Sequence, residues 1–133
     1  MTPQEKVEHW LDIAEYDLET AEAMQNSGRY LYTVFMCQQA LEKLLKAIYI
    51  QKKGEEAPRT HNLIHLFELV DLAKNVEYLK IMGQLNAYYI KGRYPVYKQK
   101  LSQLLDPKGS QNYLKQSQEI FQWLRFQLLS NNP

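Results

Sequence analysis

Apolar residues recur at helical spacing along most of this chain. Val7, Leu11, Ala14, Leu18 and Ala21 follow at intervals of four and three, with Trp10 and Met24 beside them. This spacing predicts a helix with one buried stripe, ending near Gly28. Thr2-Pro3-Gln4-Glu5 suits its start, because a threonine cap, a first-turn proline and a glutamate at the third position satisfy the free N–H groups there. A second helix is predicted from about Tyr30 to Lys53, with Gly54 past its end. Leu31, Val34, Phe35, Cys37, Ala40, Leu41, Leu44, Leu45 and Ile48 cover well over half its circumference, which makes it the central helix. Gln38, Gln39, Glu42, Lys43 and Lys46 share the remaining arc. That arc reads either as a solvated face or as one side of a site.

The loop at 55–60 leads to a short third helix with Leu63, Leu66, Phe67, Val70 and Ala73 on one side. A fourth carries Tyr78, Ile81, Met82, Leu85 and Tyr88 or Tyr89. Gly92 and Pro95 are expected to end it, since one lacks a side chain and the other lacks an N–H and fixes φ. Asp106-Pro107 then offers a cap and a first-turn proline for a last helix bearing Tyr113, Leu114, Ile120, Phe121, Leu124 and Leu128. No alternating pattern of useful length predicts a strand. The expected fold is all-α, a five-helix up-and-down antiparallel bundle forming a single domain over 1–133. Its one long connection, about 90–105, is rich in tyrosine, and long loops in compact domains tend to carry function.

Composition narrows the functional classes. Hydrophobic residues make up 45% of 133 residues, enough for a real core. No apolar run approaches the roughly 18 residues that cross a membrane. The chain enters a helix at its start, which leaves no room for a signal peptide, and the cytoplasm is the expected compartment. One cysteine, Cys37, excludes disulfides and cysteine-based zinc sites within the chain. The net charge of +1 gives no bulk attraction to a duplex. Its distribution is uneven: residues 1–85 carry 9 Lys and Arg against 13 Asp and Glu, whereas residues 86–133 carry 7 against 2. That leaves either solvated helix faces or a cationic site in the last third.

No phosphate-binding glycine loop, zinc motif or nucleophile elbow is present. His61 and His65 stand four apart, without an acidic third ligand, so no metal and no cofactor is expected. The densest chemistry lies in Tyr88-Tyr89-Ile90-Lys91-Gly92-Arg93-Tyr94-Pro95-Val96-Tyr97. An arginine at a helix end among aromatic rings is suited to an anionic or planar partner. Lys91, Lys98 and Lys100 add local positive charge. Arg93 has a structural reading as well, as an ion pair with Glu42 across the bundle.

Three landmarks occur in order: Gln39-Ala40-x-Glu42-Lys43-x-x-Lys46-Ala47, then His61-x-Leu63-x-x-Leu66, then Tyr89-x-x-x-Arg93-Tyr94-Pro95. With this order and spacing the chain resembles the HEPN domain family. The resemblance implies a helical bundle that commonly dimerises. Many relatives are metal-independent ribonucleases that use an arginine and, four to six residues later, a histidine, with both motifs meeting at the dimer interface. Stand-alone members are often paired with a minimal nucleotidyltransferase in toxin–antitoxin fashion. Arg93 matches the arginine. Tyr97, Lys98, Gln99 and Lys100 fill the window after it, so the histidine has no match. An unperturbed tyrosine or lysine, with a pKa near 10, stays protonated at neutral pH and is a poor base.

The resemblance therefore implies a nucleotide-, RNA- or partner-binding module, with a nucleotidyltransferase as companion and Arg93, Tyr94, Tyr97, Lys91 and Lys98 as the binding residues. Gln39, Glu42, Lys43, Lys46 and His61 form the possible second side, with His61 expected to cap or brace the third helix. The alternative is a ribonuclease toxin that uses Arg93 with a different acid–base group. A further reading makes Tyr94 or Tyr97 an acceptor of AMP from that companion.

Overall fold

The computed structural model describes residues 1–93 and 103–130, with the side chains of residues 92 and 93 outside the description. It holds five helices and, among the described residues, no strand: α1 (Pro3–Asn26), α2 (Tyr30–Lys53), α3 (Leu63–Leu69), α4 (Val76–Arg93) and α5 (Pro107–Ser130). The ends follow local chemistry. The Thr2 hydroxyl accepts from the Glu5 N–H at 3.1 Å, while the Glu5 carboxylate accepts from the Thr2 N–H at 3.3 Å. Gly54 closes α2 in the left-handed region at φ 70°, which lets its N–H reach the Ile50 carbonyl at 2.8 Å. The Gly109 N–H donates to the expected Asp106 cap at 2.6 Å.

α2 lies at the centre and packs on each of the other four helices, most extensively on α1. Leu41, Leu44, Leu45 and Ile48 of α2 are fully shielded from solvent, as are Leu63 and Leu66 of α3, Met82 and Leu85 of α4, and Leu124 of α5. This width of apolar surface explains why α2 must be surrounded: a helix apolar around most of its girth cannot leave that surface in water.

One helix end departs from the sequence reading. α3 stops at Leu69, and Asp71 turns the chain at φ 53°, so Ala73 lies beyond the helix and is exposed. Val70 alone supplies the last buried position there. α4 is described as far as Arg93, which lies between the Gly92 and Pro95 expected to end it. Tyr94, Tyr97 and Lys98, together with Pro95 and Lys100, lie outside the described residues.

Asn62 anchors the start of α3. Its side-chain oxygen accepts from the N–H groups of Ile64 at 3.1 Å and His65 at 3.2 Å, and from the Asn86 amide of α4 at 3.0 Å. Asn62→Ala is expected to lower stability by about 1–2 kcal/mol, because it removes a helix cap and a bridge to α4 together. Urea unfolding monitored by circular dichroism checks this.

Candidate functional site

Glu42 is the centre of the polar arrangement. It lies on the α2 face that meets the 55–62 segment and is only 2% exposed. One carboxylate oxygen takes the Lys46 ammonium at 3.1 Å. The other accepts from the Gln38 amide at 3.2 Å and lies 2.9 Å from Nδ1 of His61. Positions 38, 42 and 46 are successive turns of one stripe, which is why these three side chains reach one another. Lys46 is itself buried and stands 5.8 Å from the Trp10 ring of α1. The Gln38 amide also donates to the His61 carbonyl at 2.7 Å, tying the backbone before α3 to α2. Of the two readings of this arc, the solvated face does not hold at Gln38, Glu42 and Lys46, which lie inside the protein. The physical reason is neutralisation: the carboxylate and ammonium cancel each other, and the second carboxylate oxygen is met by Gln38 and His61.

His61 does not cap α3, since Asn62 has that role. Its side chain is 54% exposed while its partner Glu42 is buried. The tautomer with its proton on Nδ1 donates to this carboxylate and leaves the Nε2 lone pair facing outward. The ring packs against Tyr89 of α4, centroids 5.4 Å apart, and Tyr89 in turn meets Phe35 at 5.8 Å. Tyr89 and Arg93 are one helical turn apart on α4, so the backbone position of Arg93 continues the stripe that touches His61.

The second side expected from the sequence divides in two. Gln39 and Lys43 bond away from Glu42: the Lys43 ammonium donates to Gln39 at 2.7 Å and pairs with Asp17 of α1 at 3.4 Å. Adjacent helical residues point about 100° apart, so Glu42 faces the start of α3 and Lys43 faces α1. Lys91 is exposed, and its ammonium stands 5.7 Å from the ring centre of Tyr88. Among the described residues, no three His, Cys, Asp or Glu side chains are placed to hold a metal ion. No described helix is long and apolar enough to cross a membrane.

A second feature lies on the other side of α4. There α4 and α5 part to form a cleft of about 620 Å³, lined by both helices and the residues just before α5. Its lining was not singled out in the sequence. The available signals were a stripe at Lys80, Gln84 and Tyr88 and the four-residue spacing of Asn112 and Gln116. Burial and the neighbouring Tyr88 phenol push the Tyr113 hydroxyl pKa above its ordinary value.

The chain belongs to the HEPN domain family, which matches residues 7–127. The fold is similar to the crystal structure of TT1696 from Thermus thermophilus, with a TM-score of 0.81 at 22% identity over 90% of this chain and 96% of that one. It is also similar to ST0689, an archaeal HEPN homologue, with a TM-score of 0.74 at 27% identity over 92% and 97%. An HEPN domain protein from Thermotoga maritima gives a TM-score of 0.69 at 21% identity over 93% and 99%. A search of curated proteins finds no significant match.

Proposed function

We propose that this HEPN domain is a binding module that grips the phosphate of a nucleotide or single-stranded RNA at Arg93, acts as a homodimer, and serves as the companion of a minimal nucleotidyltransferase. One observation carries this reading: the exposed His61 ring, held by buried Glu42, packs on Tyr89, which lies one turn before Arg93 on the same stripe of α4. A guanidinium beside flat rings suits a phosphate and its attached base. Glu42 already takes Lys46, Gln38 and His61 as partners, which favours an external anion over Glu42 as the role of the Arg93 charge. Tyr94, Tyr97, Lys91 and Lys98 belong to this reading on sequence grounds, and the missing histidine after Arg93 favours binding over cleavage.

The test is Arg93→Ala, measured by fluorescence polarisation with a labelled single-stranded RNA and with a labelled nucleotide. Binding is expected to weaken at least about tenfold, since a charge-assisted contact of about 1.5–3 kcal/mol is lost. The melting temperature is expected to hold. Equal affinity in both proteins would refute the reading. Light scattering of the wild type tests the dimer, and co-purification with a genomic-neighbour nucleotidyltransferase tests the companion.

A specific observation supports the ribonuclease alternative. The Glu42–His61 couple presents Nε2 of an exposed imidazole, the group that the motif after Arg93 lacks. On that reading single-stranded RNA is cut in the presence of EDTA, and both Arg93→Ala and His61→Ala abolish cutting. If wild-type protein leaves RNA intact, the alternative falls.

A further inference from the structure

We infer that the groove between α1 and α5 is a docking surface for a basic amphipathic helix of another protein. Along α1, Glu8, Asp12, Glu15, Glu19 and Glu22 recur at intervals of four, three, four and three, which sets their carboxylates on one stripe. The stripe spans about 21 Å, roughly four helical turns. Of these five, only Glu15 has a cationic partner among the described residues, the Arg125 guanidinium of α5 at 3.4 Å. Like charges three and four residues apart repel, so the stripe weakens the helix that carries it. A cationic partner laid along it removes that repulsion.

Beside the stripe, α1 and α5 part to leave a groove of about 400 Å³. Glu15, Glu19 and Glu22 form one wall, Gln118, Gln122 and Arg125 form the other, and Leu18 and Phe121 give the groove an apolar lining. Two large apolar side chains prolong the α5 wall. Phe126 and Leu129 follow Gln122 at intervals of four and three on the same stripe, and they are 66% and 48% exposed. α1 and α5 run antiparallel: Gln25 near the end of α1 meets Pro107 at the start of α5, whereas Glu15 meets Arg125. Phe126 and Leu129 therefore lie toward the first half of α1, the half that carries Glu8 and Asp12. An acidic wall thus faces a wall with apolar anchors over several turns. An amphipathic helix supplies the complement, with apolar residues at i, i+4 and i+7 for the anchors and lysine or arginine on its flank for the carboxylates.

The sign of the charge selects this occupant. A nucleic-acid backbone or an anionic lipid surface is repelled by the stripe. A second copy docked symmetrically through the same face sets the stripe against itself. A basic helix from a different protein meets both walls. The groove contains none of the residues assigned to the Arg93 site, so it stands apart from that reading.

The experiment measures fluorescence anisotropy of labelled synthetic peptides, each roughly 18 residues long, added to the full chain. The first places leucine and phenylalanine at i, i+4 and i+7 with lysines on the flank. The second replaces those lysines with glutamates, and the third scrambles the first. Only the first is expected to bind the wild type, and more weakly as salt rises. Phe126→Ala is expected to weaken it about tenfold, as for a central apolar anchor. The double variant Glu19→Lys with Glu22→Lys is expected to lose the lysine peptide and to take up the glutamate peptide instead. Circular dichroism confirms that each variant folds. Arg93→Ala is expected to leave peptide binding unchanged. A lysine peptide that does not bind, that binds no better than its scramble, or that ignores Phe126→Ala and the charge reversal overturns the docking surface and leaves the Arg93 reading intact. Loss of peptide binding in Arg93→Ala places the peptide elsewhere and also overturns it. If light scattering shows that Phe126→Ala lowers the mass of the assembly, the groove is an interface between copies of this chain and the proposal falls.

Discussion

Glu42→Ala is expected to cost about 3–5 kcal/mol of stability, because it leaves the buried Lys46 ammonium without its counter-charge. The loss is larger than that of a typical hydrogen bond for a reason of environment. At the surface water would take the place of the carboxylate, but both partners here are nearly shut away from it. Three consequences are expected together. Lys46 loses its ion pair, Gln38 loses one of its two acceptors, and the His61 ring loses the oxygen that holds it against α2. Urea unfolding at neutral pH measures the first two. The third is read from the two-dimensional NMR signal of the His61 ring, expected to shift in Glu42→Ala. The double variant Glu42→Met with Lys46→Met isolates the electrostatic part: replacing both charges by apolar groups of similar length is expected to recover most of the lost stability. Recovery no better than Glu42→Ala alone would show that the carboxylate works through its neutral donors, not through the lysine.

The second large effect is alkaline. Burial pushes the Cys37 thiol from 9.0 up to about 12, against a smaller opposing effect of the neighbouring Ser117 hydroxyl. Desolvation penalises the thiolate, so the folded state holds the proton more tightly than the unfolded chain does. The stabilisation is therefore fully present below pH 9 and is lost as the pH rises through 12. Its size is on the order of 4 kcal/mol, which follows from a roughly thousandfold preference for the neutral form. Tyr113 moves in the same direction above its ordinary value and adds to the alkaline loss. Unfolding free energies measured from about pH 8 to 11 are expected to fall more steeply in the wild type than in Cys37→Ala, which keeps every tyrosine and removes only the thiol. Superimposable pH profiles for the two proteins would contradict the assignment. The same burial predicts that iodoacetamide leaves Cys37 unmodified in native protein at about pH 8 and alkylates it promptly in urea.

The helix pattern was legible where burial follows periodicity. The stripe of α1, the broad apolar girth of α2, the Thr2–Glu5 capping box and the Asp106 cap all appear as their residue types require. It was misleading where a local signal competed with packing. Ala73 continues the periodicity of α3, yet the left-handed turn at Asp71 ends the pattern first. For the site, the polar set on α2 and His61 was visible as a group. Its partition was not: Glu42 and Lys46 pair inside the protein, where Glu42 also meets His61, whereas Lys43 turns to Gln39 and Asp17.

What the sequence determined by itself is the succession of five helices, the central place of α2, and an arginine at the end of α4 with no histidine in the window that follows. These depend on residues near one another in the chain, whose spacing and capping chemistry act locally. Only the tertiary structure decided that Glu42 and Lys46 are buried, that His61 rests on that glutamate and on Tyr89, and that α4 and α5 open a cleft. Each of these joins residues far apart in the sequence. Whether a polar side chain is solvated or enclosed depends on which distant segment covers it, and periodicity along one helix carries no record of that.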